Sequence, residues 1–160
     1  MEYYKRPMIH EKNNNYIPLE QEAELASNSY LMSLIAIIIG LPFPIINLIA
    51  SLIFYLGNRK SSFFIRWHCT QAILSQVSLL FINCLGFWWT ISIFFTEEII
   101  TFKYIAYITI ILILNLIEFI VSIYTAIQIR KGNHIEWWFY GSLTNLICKQ
   151  SIRKSDSYKV

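Results

Sequence analysis

Charge is segregated along this chain, leaving three long blocks: Tyr30–Leu56, Cys69–Phe95 and Tyr104–Ile129, the last uncharged but for Glu118. A helix needs roughly 20 predominantly apolar residues to cross a bilayer. Cys69–Phe95 and Tyr104–Ile129 are therefore predicted to span, with some tilt. The first block is interrupted by Gly40-Leu41-Pro42-Phe43-Pro44. Proline removes a backbone donor and clashes with the preceding turn. The block thus reads as one kinked span or as two short helices joined by a Pro turn, the hairpin being favoured. Its first half can extend backwards through Leu19–Leu25, which is rich in strong helix formers. The fold class that follows is an all-α integral membrane protein with four hydrophobic helical segments. A further amphipathic stretch, Ile135–Tyr140 with Leu143, Leu146 and Ile147, predicts a carboxyl-terminal interfacial helix.

Composition agrees with this pattern. Hydrophobic residues make up 56% of the 160 and charged residues only 14%, against about 25% charged in a soluble domain. Mean hydropathy is +0.47. The chain divides into a polar, partly helical amino-terminal tail (1–29), a membrane domain (30–148) and a basic carboxyl-terminal tail (149–160). The amino-terminal stretch has no basic start running into a short apolar core, so it is expected to remain on the mature protein. The net charge of +3 is too small and dispersed for nucleic acid. Arg59, Lys60 and Arg66 follow the first block, and Arg130, Lys131, Lys149, Arg153 and Lys154 follow the last, whereas Thr96–Lys103 holds Lys103 beside Glu97 and Glu98. The positive-inside rule puts the first loop and the carboxyl terminus in the cytoplasm, in a bacterial inner membrane.

An ionisable group deep in a span is costly and marks a candidate site, which singles out Glu118. Asn115, Glu118, Ser122 and Thr125 recur at spacings of three and four and share one helix face. The bland reading is interhelical hydrogen bonding; the functional one is a proton or cation site. Gln71, Ser75 and Ser78 form a matching face on the middle span, with Gln71 and Ser75 as expected partners of Glu118 and Asn115. Arg66, Trp67 and His68 stand at its cytoplasmic boundary. Trp137, Trp138 and Tyr140 are candidate interfacial anchors, since Trp and Tyr favour the headgroup zone.

Other chemistry finds little support. Cys69, Cys84 and Cys148 are far apart and lack metal or redox spacing. His134-Ile135-Glu136 has the H-x-E order of zinc deaminases without their paired cysteines. No catalytic, cofactor or metal site is expected. The expected partners are the bilayer and either further copies of the chain or a larger membrane complex.

The run Leu52-Ile53-Phe54-Tyr55-Leu56-Gly57-Asn58-Arg59-Lys60, followed by an aromatic–Arg–Trp stretch opening a long span, carries a resemblance. Arg66, Trp67, Gln71, Ala72 and Leu74 follow the order found in small helical membrane proteins related to the twenty-kilodalton subunit of the chloroplast inner-envelope translocon. Bacterial relatives of that group include MamF-type magnetosome membrane proteins. They often place a His near the position of His68 and share an interrupted first block like Gly40–Pro44. They also follow the last span with a basic residue, Gly and an aromatic stretch, as in Arg130-Lys131-Gly132 to Trp137. The resemblance covers roughly Ser29–Ile147 and implies a four-helix membrane fold. The expectation is a non-enzymatic membrane subunit, in protein translocation or envelope assembly, with a small transporter using Glu118 as the alternative.

Overall fold

A computed structural model describes residues 17–40, 44–96 and 100–157. They form five helices: α1 (Glu20–Gly40), α2 (Pro44–Asn58), α3 (Phe63–Thr96), α4 (Phe102–Arg130) and α5 (Tyr140–Ser157). The first block is therefore two separate helices, packed against each other; the turn at 41–43 lies outside the described residues. As the sequence predicts, α1 begins upstream of the apolar block. Glu20 and Glu22 occupy its first turn, where the exposed backbone N–H groups favour negative charge. Glu22 also reaches back to accept from the Leu19 N–H at 3.2 Å.

Two of these helices, α3 and α4, are long and apolar enough to cross a membrane. At 1.5 Å per residue they measure about 51 and 44 Å, whereas α2 reaches only about 22 Å. The four hydrophobic segments are thus not four equivalent spans. The far halves of α3 and α4 project as a two-helix hairpin beyond the short pair. Their outward faces are apolar and exposed, including Phe81, Leu85 and Trp88 on α3 and Leu112, Leu116 and Ile120 on α4. So large an apolar surface suits lipid rather than water.

Helix α1 packs on α2, α3 and α4, and small residues make this possible. Ala23, Ala26, Ser27 and Ser33 are buried along with Tyr30 and Leu34. Without bulky side chains the backbones can approach closely, the usual basis of helix association in lipid. The core joins Ala26 and Tyr30 of α1 to Phe64, Ile65, Cys69 and Ala72 of α3 and Ala126 and Ile129 of α4. It sits at the bundle end shared by the start of α1, the start of α3 and the end of α4. Glu24 and Arg130 meet there across α1 and α4 at 3.8 Å. The expected basic flanks, Arg59, Lys60, Arg66, Arg130 and Lys131, gather at this same end. Glu97 lies outside the described residues.

Farther along, α3 and α4 run antiparallel. Gly86 marks their close approach: a Cβ there would overlap Ile111 Cδ1. Thr101 caps α4 by accepting from the Tyr104 N–H at 3.4 Å.

Candidate functional site

The end of α4 decides where the next residues go. Gly132 adopts a left-handed φ of 84°, a conformation that costs glycine little. Its N–H donates to the Ile129 carbonyl at 2.8 Å, and the Asn133 N–H to the Gln128 carbonyl at 3.1 Å. This is the Schellman arrangement that satisfies terminal carbonyls and reverses the chain. Residues 133–139 consequently return over the bundle without helical structure. The interfacial helix expected from Ile135 therefore begins only at Tyr140, because the backbone before it bonds to the bundle instead.

Gln71, fully buried, is the hub of that contact. Its Oε1 accepts from the Trp137 N–H at 3.2 Å, while Nε2 donates to Tyr30 Oη at 2.9 Å and to the Ile135 carbonyl at 3.4 Å. Tyr30 Oη lies 3.2 Å from His68 Nδ1, and His68 Nε2 lies 3.1 Å from His134 Nδ1. His134 Nε2 in turn meets Glu136 Oε1 at 3.2 Å. Phe64 and Trp67 box in both imidazoles, with ring centroids 4.6 Å (Phe64–His68) and 4.5 Å (Trp67–His134) apart.

The direction of these bonds can be assigned. A backbone N–H only donates, so Trp137 fixes Gln71 Oε1 as acceptor and Nε2 as donor. Tyr30 Oη, already accepting from Gln71, gives its proton to His68 Nδ1. His68 then carries its proton on Nε2 and donates to His134 Nδ1, and His134 Nε2–H donates to the Glu136 carboxylate. With both imidazoles neutral, every donor in the chain meets an acceptor.

The polar face of α4 meets Ser75 as expected, beside Glu118, but otherwise finds different partners. Glu118 Oε1 accepts from Gln76 Nε2 at 3.3 Å, and Asn115 exchanges two hydrogen bonds with Asn83, at 2.8 and 3.2 Å. Gln71 does not reach Glu118, and neither Arg66 nor His68 bonds to it. The reason is α1, which packs on both α3 and α4 at this end and offers Tyr30 to Gln71 and His68. Ser75 and Ser122 flank the Glu118 carboxyl, but Ser75 donates to the Ala72 carbonyl at 2.9 Å and Ser122 Oγ makes no hydrogen bond of ordinary geometry. Thr125 accepts from Trp137 Nε1 at 2.8 Å. Trp137 is accordingly tucked against Tyr30, while Trp138 is 96% exposed. Trp67 Nε1 donates to Asn145 Oδ1 at 2.8 Å, tying α5 to α3. Arg66 is half-buried, with its Nε unpartnered.

A cavity of about 440 Å³ lies between α3 and α4, lined by Ser78, Leu79 and Ile82, by Leu114, Ile117, Glu118 and Val121, and by Trp137–Tyr140. Its walls are mainly apolar. Among the described residues no group of three or more His, Cys, Asp or Glu side chains is placed to hold a metal ion.

Tyr30, Gln76, Asn83 and Asn145 carry hydrogen bonds that helical spacing alone did not single out, and His134 sits beside His68 only because Gly132 turns the chain back. The whole arrangement, from Ala26 beneath Tyr30 to Thr144 in α5, coincides with one comparison. No curated protein sequence and no solved structure matches the chain. A family profile does, across residues 26–144. With well over half of its length matched, including both long apolar helices and the segment that returns from Gly132, the chain belongs to the magnetosome magnetite crystal formation protein family, MamF_MmsF.

Proposed function

We propose that this protein acts in magnetite crystal formation as a non-enzymatic integral membrane subunit that packs with copies of itself or with a larger membrane complex. The observation that carries this reading is the family match over residues 26–144. The hydrogen-bonding pattern is compatible with it. Gln71, Gln76, Asn83 and Asn115 spend their hydrogen bonds between helices, leaving long apolar faces of α3 and α4 for neighbours in the bilayer. The bundle end carrying the basic flanks would face the cytoplasm. A place in protein translocation or envelope assembly is the finer alternative, and the partner that copurifies decides between them.

A second reading rests on Glu118, a carboxyl buried between two long apolar helices beside a cavity. In it Glu118 is a proton or cation site. The apolar walls of that cavity favour the first reading.

The test is expression of the tagged chain in a magnetite-forming bacterium lacking its own family member, followed by mild solubilisation. Recovery in the crystal-bearing membrane fraction with restored crystal dimensions supports the proposal. A folded, membrane-inserted chain that restores nothing and copurifies with translocation components would overturn it.

A further inference from the structure

We propose that the His134–His68 contact is a proton-operated latch, holding residues 133–139 on the bundle while both imidazoles are neutral and releasing them when His134 takes up a proton. The bond directions assigned above carry this. His68 Nε2–H donates to His134 Nδ1, and that bond exists only while His134 Nδ1 keeps its lone pair. A protonated imidazole has two donors and no acceptor, so charging His134 sets N–H against N–H.

Two escapes are open. His68 can move its proton to Nδ1 and accept from His134, but it then donates to Tyr30 Oη, which already accepts from Gln71. The Tyr30 hydroxyl proton loses its acceptor in a fully buried position, and a stranded buried donor is costly. The other escape is for His134, an exposed residue in a non-helical segment, to swing away. Glu136, on the same segment, is in direct contact with His134, and the Trp67 ring packs against the imidazole. The remaining titratable neighbours are Tyr30 and the Glu24–Arg130 pair across α1 and α4, Arg66 and Cys69 on α3, and Glu118 on α4. Tyr55 of α2 packs against the same core, and Cys148 of α5 lies beside Thr70 and Arg66. The sign follows: the released state binds one proton more, so the latch closes as pH rises through the imidazole range and opens as pH falls. Since Trp137–Tyr140 line the cavity beside Glu118, release would uncover it.

The experiment uses the full chain in detergent micelles, with Cys69, Cys84 and Cys148 replaced by alanine and one reporter thiol, Ile135→Cys or the exposed control Lys131→Cys. Maleimide labelling of residue 135 is divided by that of residue 131, cancelling the pH dependence of thiol reactivity. The ratio should rise about fivefold from pH 8 to pH 5, the population shift that one net hydrogen bond produces in the range where imidazoles charge. Adding His134→Ala should raise it at both pH values. Nitrogen-15 shifts at pH 8 should show both His68 and His134 as Nε2–H tautomers. A ratio flat with pH, with or without His134→Ala, or the opposite His68 tautomer, overturns the latch. A ratio that responds at fixed pH to zinc or to a chelator would mean a two-histidine metal site, and overturns it equally.

Discussion

Replacing Gln71 with leucine removes the hub of the contact between α1, α3 and the returning segment. Two bonds of good length go at once, to Tyr30 Oη at 2.9 Å and from the Trp137 N–H at 3.2 Å. Hydrogen bonds within membrane bundles average about 0.6 kcal/mol each, giving about 1.2 kcal/mol. The stranded Trp137 N–H adds about 1–3 kcal/mol, since a donor left without its partner bears its desolvation cost. Burial of the leucine side chain offsets part of this, about 1–2 kcal/mol. The expected net loss is about 1–2 kcal/mol, together with increased hydrogen exchange at Trp137. Lys60→Ala, which removes an exposed charge, should stay within about 0.5 kcal/mol of the parent. Reversible unfolding by SDS in mixed micelles, followed by circular dichroism, measures both. If Gln71→Leu matches Lys60→Ala, with Trp137 still protected, the hub assignment is wrong and Gln71 is merely space-filling.

Four further outcomes are expected. Impermeant thiol reagents applied from outside should label a cysteine at residue 97 and not at 58 or 133; outside labelling at 58 or 133 would reverse the topology drawn from the basic flanks. Glu118→Gln should fold with a loss of about 0.6 kcal/mol or less, since an amide can still meet Gln76; loss of crystal formation in that stable variant would favour the proton-site reading. Gly132→Val should cost at least about 1 kcal/mol because a β-branched residue resists φ of 84°, and should free residues 133–139; unchanged unfolding would remove the Schellman turn from the account. Burial pushes the Cys148 thiol up from its ordinary range, with Thr70 and Arg66 partly countering it, so iodoacetamide at pH 8 should modify it slowly until SDS unfolds the chain; rapid alkylation of the native protein would contradict that burial.

Legibility in the sequence followed the kind of information each feature needs. Block length, the Pro42 and Pro44 break and the helix-forming run before Tyr30 act locally, and α3, α4 and the early start of α1 at Glu20 emerge directly from them. Helical periodicity also identifies the polar faces, because it depends only on spacing. It does not say which neighbour a face meets. Gln71 and Glu118 both read as inward-facing, but α1 comes between them, and Gln76, about 140° around the helix from Gln71, is the residue α4 encounters. The difference turns on helix length and side-chain size: α1, shorter than α3 and α4 and with Ala23, Ala26, Ser27 and Ser33 on its buried face, can wedge against the basic-flanked end of α3 and α4 and leaves their far halves to pair alone. The return of His134 to His68 did have a local signal, glycine just past a basic helix end, which predicts a reversal though not its direction. Read together, those two facts constrain the site strongly. A helix short enough to expose its neighbours' ends, and a turn that sends the chain back across them, place residues distant in sequence over Tyr30, where only partners with complementary donors and acceptors can close the gap.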